Sequence, residues 1–383
     1  MLCNFWKMKF LLLGILFSSQ ILFSQTDNKV FWGEKNVIHS EIFGEDKEYW
    51  VHLPENYNEE GDKYPVLYIT DGDEHFYLAS GLVEFMSAQF MIPEFIVVAI
   101  FHQDRNHDLT PTHSETDING FQSPAAEVSG GGKKLLEFIE KELIENVENR
   151  HSASSYRILT GHSLGGLFCT YAYLTRNHLF KGFIAMDPAL NWDDHACEQM
   201  LRSLPDNPQN LKNKLYIASA HNAPEGKRDK GPFRMSQLSF TKELDKKGVT
   251  NYKFEVFEKE THMTVAYQSL YAGLVFLFPD YYIFKDPHYS PEIPYIIDFY
   301  NKVSDRYGME VIPPEQLLHM IGKHYLFETS DYARAIEMFK FNTRIYPNSY
   351  KAFEFLAKAY KASGDEANAR LYFEKSQQLD PNN

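Results

Sequence analysis

Cysteine is scarce in this chain, with three in 383 residues. Cys3 stands ahead of the first apolar stretch, so no cysteine follows that stretch for lipid attachment, and export would leave only Cys169 and Cys197. Those two could pair in an oxidising compartment, but two buried free thiols are the expectation. Positive charge is short as well. Lysine and arginine number 38 against 52 acidic residues, a net charge of −14 that becomes −16 without Lys7 and Lys9. An acidic surface of this kind argues against nucleic acid or an anionic membrane as partner, and leaves a small molecule open. A hydrophobic run of membrane-spanning length is missing too: Phe10 to Phe17 is broken off by Ser18, Ser19 and Gln20. With Lys7 and Lys9 ahead of it and no acidic residue in the first 25, this segment reads as a signal peptide over residues 1–25. The chain is therefore expected to be exported, periplasmic or secreted, with no membrane role beyond export.

What is present is enough apolar side chain for a sizeable core, 44% of the residues, in a length that suits two domains. Residues 30–53 alternate apolar and polar side chains and predict an opening antiparallel pair of strands, ended by Pro54. The runs Tyr64 to Thr70 and Phe95 to Phe101 are nearly continuous in apolar residues, as expected of parallel strands buried on both faces. A helix over Phe76 to Phe90 joins them, and Lys133 to Glu148 has the spacing of an amphipathic helix. Further strands are predicted at Tyr156 to Thr160, Gly182 to Met186, Lys214 to Ala218 and Tyr252 to Phe257, with helices between. This alternation predicts an α/β domain with a mostly parallel sheet over residues 26–285.

From about residue 300 the pattern is helical and repeats. Ser330/Gly364, Asp331/Asp365, Ala335/Ala369, Phe339/Phe373 and Pro347/Pro381 are pairs 34 residues apart, whereas Tyr325 and Tyr360 are 35 apart. The period and residue types resemble tetratricopeptide repeats. Two repeats, supported by a helix over Ile296 to Tyr307, predict a small helical domain over residues 286–383 that packs on the α/β domain and offers a surface for a protein partner.

The chemistry centres on Gly161, His162, Ser163, Leu164 and Gly165, a G-x-S-x-G pattern between the strand run Tyr156 to Thr160 and the helical run Leu167 to Leu174. A serine on a sharp strand-to-helix turn is exposed at the carboxyl edge of the sheet, and the helix amino terminus turns a backbone N–H at a developing oxyanion. Ser163 is thus the candidate nucleophile and Leu164 one oxyanion donor. Gly72, after the run Tyr64 to Thr70, is the other. A serine hydroxyl needs a base, and His262 follows the last predicted strand, where such a fold places one. His162 fills the variable slot of the motif, with its ring directed away from the serine hydroxyl. The acid that orients the base belongs on a loop between Ser163 and His262. Glu225 is the first choice, with Asp229 and Asp187 as alternatives. Asp187 next to Pro188 also reads as a turn former, and a dyad without a strong acid fits too. Asp73, Glu74 and His75 lack recurring ligand spacing, and His102, His107 and His113 read as solvent or pocket residues, so neither metal nor cofactor is expected.

These segments together resemble the putative esterase family of α/β hydrolases, the group containing esterase D and enterochelin esterase-like proteins. The resemblance spans roughly residues 36–280. It rests on the stretch Tyr64 to Gly72, on Arg105 with Asp108, Leu109, Thr110 and Pro111, on Gly161 to Phe168, and on the late His262. It implies an α/β-hydrolase fold, Ser163 as nucleophile, His262 as base and a small-molecule ester as substrate. Where many relatives resemble SPSLWW after the sixth strand, this chain has Asp187, Pro188, Ala189, Leu190, Asn191 and Trp192, a region that lines the acyl or alcohol pocket. The expectation is a serine carboxylic-ester hydrolase. Its rivals are an acyltransferase of the same fold and a degenerate scaffold acting through the helical repeats.

Overall fold

A computed structural model describes residues 32–55, 57–59, 63–221, 231–284 and 291–380. The segment read as a signal peptide lies outside them. Among the described residues no helix is long and apolar enough to cross a membrane, and Cys169 and Cys197 are buried free thiols.

Eight strands form a single sheet: β1 Glu34–Ser40, β2 Glu45–His52, β3 Tyr64–Ile69, β4 Ile96–Ile100, β5 Ala153–His162, β6 Gly182–Met186, β7 Lys214–Ala220 and β8 Tyr252–Phe257. Their spatial order is β1-β2-β4-β3-β5-β6-β7-β8. The first two are antiparallel to each other and β2 to β4, while every later pairing is parallel. This is the α/β-hydrolase arrangement that the resemblance implies. Strands β3 to β6 sit between helical layers, which is why their residues are mostly buried and those of β3, β4 and β6 are apolar. At the edge, β8 is only half-buried along its length.

The sheet positions the site because parallel strands end on one side. β3 lies beside β5 with Ile69 opposite Thr160, and β5 lies beside β6 with His162 opposite Met186. The loops that follow these three strands therefore start within a few ångströms of one another. The helix after β3 spans Gly72–Ala88 and begins earlier than the run of apolar residues suggests. Asp71 takes a left-handed backbone (φ 57°) that turns the chain at once, and Asp73 and Glu74 favour the positive end of the new helix.

The helical region consists of Ile293–Tyr307, Glu315–Lys323, Tyr332–Ile345, Tyr350–Ala362 and Glu366–Leu379. The 34-residue period has a local cause. Ser330 and Gly364 both have positive φ, and the next residue, Asp331 or Asp365, caps the following helix with its carboxylate. The odd spacing of Tyr325 and Tyr360 is explained as well. A wide turn over His324–Glu328, with Thr329 N–H donating to the His324 carbonyl, absorbs one extra residue and keeps both tyrosines buried. Phe339 is fully buried, while its counterpart Phe373, in the last described helix, is half exposed. The helix Ile293–Tyr307 docks by Tyr307, whose ring lies 4.9 Å from Phe278 and 6.0 Å from Tyr156. Tyr156 is near the start of β5, roughly 20 Å along the strand from its far end. The helical region thus packs at the edge of the sheet opposite Ser163.

Candidate active site

Ser163 has φ 60° and ψ −115°, a conformation that costs a non-glycine residue on the order of 1–3 kcal/mol. Three backbone hydrogen bonds hold it there. Ser163 N–H donates to the Met186 carbonyl at 3.0 Å, and the Ser163 carbonyl accepts from Leu167 at 3.0 Å and Ala189 at 3.1 Å. The flanking glycines are required by contact. A Cβ on Gly161 or Gly165 would lie 2.4 or 2.2 Å from the Thr70 hydroxyl, and one on Gly166 would lie 3.0 Å from Pro188. The turn places Ser163 immediately before the helix Leu164–Thr175, as its N-cap, and the leading N–H groups of that helix have no partner within it. Among the described residues, the Ser163 hydroxyl makes no hydrogen bond.

Gly72 opens its helix in the same way, so its N–H and that of Leu164 are free of intrahelical bonds. The Phe101 ring packs so closely that a Cβ on Gly72 would lie 2.6 Å from it. A paired arginine holds this loop against the elbow. Arg105 Nε and Nη2 donate to the two carboxylate oxygens of Asp71 at 2.7 and 3.0 Å, and Nη2 also reaches the His162 carbonyl at 3.3 Å. The rest of that sequence stretch anchors the arginine. Asp108 is buried among Lys47, His102 and His107, and the Thr110 hydroxyl accepts the Gly130 N–H. Burial opposes ionisation of Asp108, yet hydrogen bonds from His102 and His107 outweigh it and hold the carboxyl at about 2. The His102 side chain is thus buried against Asp108 rather than in solvent.

His262 lies in the turn after β8. Its Nδ1 is 2.6 Å from Asp187 Oδ2, and its ring meets those of His162 (centroids 4.4 Å apart) and Phe233 (5.0 Å). Asp187 follows β6 directly, is fully buried, and has φ 41°. Its Oδ1 accepts from Ala220 N–H at 3.1 Å and Gln237 Nε2 at 2.9 Å. Among the described residues this is the carboxylate that meets His262, where sequence reasoning put Glu225 first. Glu225 and Asp229 lie outside the described residues. Asp187 is a turn residue, as its neighbour Pro188 suggested, and the same left-handed turn aims its carboxylate at the histidine.

His162 was passed over as a bystander in the motif. Its Nε2 lies 2.7 Å from the backbone carbonyl of His262, and the His75 ring meets it edge-on at 5.6 Å. Burial, then the nearby His262 and His75, lowers its pKa to about 4. His319 in the helical region is likewise held at about 4 by burial, then by Lys323 and Lys351. Both side chains are nearly inaccessible. In the unfolded chain a histidine takes its proton near 6.5, so between about 6.5 and 4 the unfolded state binds more protons than the folded one. Stability should therefore fall as pH drops through that window, by on the order of 3 kcal/mol for each histidine. Urea unfolding at pH 7, 5.5 and 4.5 checks this, and a flat midpoint would contradict it.

Among the described residues no three histidine, cysteine or acidic side chains converge as metal ligands.

A family model described as Putative esterase matches residues 40–243. The chain is 28% identical over 148 residues to the ferri-bacillibactin esterase BesA of Bacillus subtilis, covering 34% of this chain and 49% of that protein. It is 30% identical over 106 residues to a siderophore enterobactin esterase of Emericella nidulans, covering 26% and 35%. The chain spans about half the length of the curated relatives it matches. Among solved structures it is similar to an IroE-like serine hydrolase from Shewanella oneidensis, with TM-score 0.64 and 25% identity over 91% of this chain and 100% of that one. A siderophore hydrolase EstB from Aspergillus nidulans shares the fold at TM-score 0.51 and 23% identity over 66% of this chain and 96% of its own.

Proposed function

The chain belongs to the putative esterase family, and from that premise we propose that it is an exported serine carboxylic-ester hydrolase working through an acyl-enzyme, with Ser163, His262 and Asp187 as its triad. The observation that carries this reading is the 2.6 Å contact between a fully buried Asp187 and His262, made beside a strained serine elbow. With Nδ1–H donated to Asp187, Nε2 is the nitrogen that takes the Ser163 proton. The alkoxide attacks the ester carbonyl. The N–H groups of Leu164 and Gly72 bind the oxyanion, and the imidazolium, steadied by the carboxylate, protonates the leaving alcohol. Water then repeats the sequence on the acyl-enzyme.

Siderophore-type esters head the candidate substrates, because that is what several relatives are named for. The test is a fluorophosphonate applied to folded protein, followed by a hydrolysis screen over aryl, sugar, siderophore-type and acyl-glycerol esters. Modification confined to Ser163, with turnover of at least one class, is the expected result. An unlabelled Ser163 in folded protein overturns the reading.

A further inference from the structure

The turn that carries His262 is tied at its ends, by Glu258 to Arg234 and His221, by the Glu260 carbonyl to the His221 N–H, and by bonds between Thr261 and Thr264. It follows the half-buried edge strand β8, and most of its residues, from Glu258 to Thr264, are exposed. Those bonds fix the ends of the turn, but the imidazole in its middle still needs restraint of its own, because a general base works only within a narrow geometry. Besides Asp187, two rings meet the imidazole: Phe233 and His162. His162 belongs to the end of β5, a central strand, and its ring reaches a backbone carbonyl 100 residues away.

We propose that His162 is a positioning residue for the base: its Nε2–H holds the His262 carbonyl and its ring packs against the His262 imidazole, restraining the base beside the serine elbow. The inference rests on the esterase reading above. A carbonyl oxygen only accepts, so the 2.7 Å contact requires the proton on Nε2 of His162 and leaves Nδ1 bare. His75 closes the space behind the ring and Arg105 holds the His162 carbonyl, so the donor is fixed at both ends of the residue. The charged and titratable groups around it are His262, His75, Asp187 and Arg105. Burial, then His262 and His75, keeps His162 uncharged at neutral pH. It therefore holds the turn without setting a second cation beside the imidazolium that forms during turnover.

The two amide side chains separate this role from simple filling of space. The glutamine amide reaches the position of Nε2, whereas that of asparagine stops near Nδ1. In the full chain, with a short-chain nitrophenyl ester, His162→Gln should keep kcat within about fivefold of the unmodified protein. His162→Asn should lose on the order of 10- to 100-fold in kcat with KM nearly unchanged. Equal effects of the two variants, a loss confined to KM, or no loss in His162→Asn overturns the proposal. Should His162→Asn fail to fold, the nitrogen-15 shifts of the unmodified His162 ring decide, since an Nδ1–H tautomer is incompatible with it. If the unmodified protein is neither labelled nor active, the esterase reading falls and this inference with it. If it is labelled and active while the amide pair behaves alike, only the positioning role fails.

Discussion

Ser163→Ala is expected to lower kcat for ester hydrolysis by a factor on the order of 10⁴ to 10⁶ while leaving the melting temperature almost unchanged. The two halves of that expectation have separate causes. Alanine keeps the Cβ and hence the strained backbone at φ 60°, and among the described residues the lost hydroxyl had no hydrogen bond. Stability therefore has little to lose. Under the proposed mechanism activity loses the atom that forms the acyl bond, and any residual rate comes from the oxyanion donors acting on water. Steady-state kinetics with a nitrophenyl ester, beside a thermal melt, measure both. Hydrolysis that survives the substitution intact would place the nucleophile elsewhere.

Asp187→Asn should lower kcat by roughly 10³- to 10⁴-fold with little change in KM. The reasoning follows from the other oxygen of Asp187. Oδ1 accepts from both Ala220 N–H and Gln237 Nε2, so an asparagine will place its carbonyl there and turn its NH₂ toward His262. The NH₂ can only donate, and Nδ1 of His262 must then be the bare nitrogen. That puts the proton on Nε2, the atom that has to accept from Ser163. The variant would hold a well-formed site in the wrong tautomer. A loss smaller than about tenfold would mean that another acid orients His262, with Glu225 and Asp229 the next to replace.

Much of the architecture was legible because it is written in neighbouring residues. The apolar runs at Gly182–Met186 and Tyr252–Phe257 coincide with β6 and β8, since a strand's apolar pattern is a property of that strand alone. Boundaries moved where a capping or turn residue outweighed the apolar pattern. Asp71 started its helix four residues before Phe76, and β5 ran on to His162, beyond the apolar run that ends at Thr160. The histidines were least legible. His102, His107 and His262 all follow strands in polar stretches of sequence, and nothing local distinguishes a buried partner of a carboxylate from a candidate base. Only the packing around Asp108 and Asp187 separates them.

By itself the sequence determined the strand-turn-helix at Ser163, the alternation that builds a mostly parallel sheet, and the repeat near the carboxyl end. Each is set by residues within one or two elements, where glycine sterics, capping and apolar periodicity act directly. Tertiary structure alone decided which carboxylate meets His262, what His162 touches, and why Arg105 is needed. Those contacts join residues 75, 100 and 34 positions apart. They exist because the parallel strands from β4 and β3 through β5 and β6 to β8 share one sheet and bring their following loops to one edge. Sequence spacing carries no information about distance across that edge, so the members of the site could be proposed one by one, but the pairs among them could not.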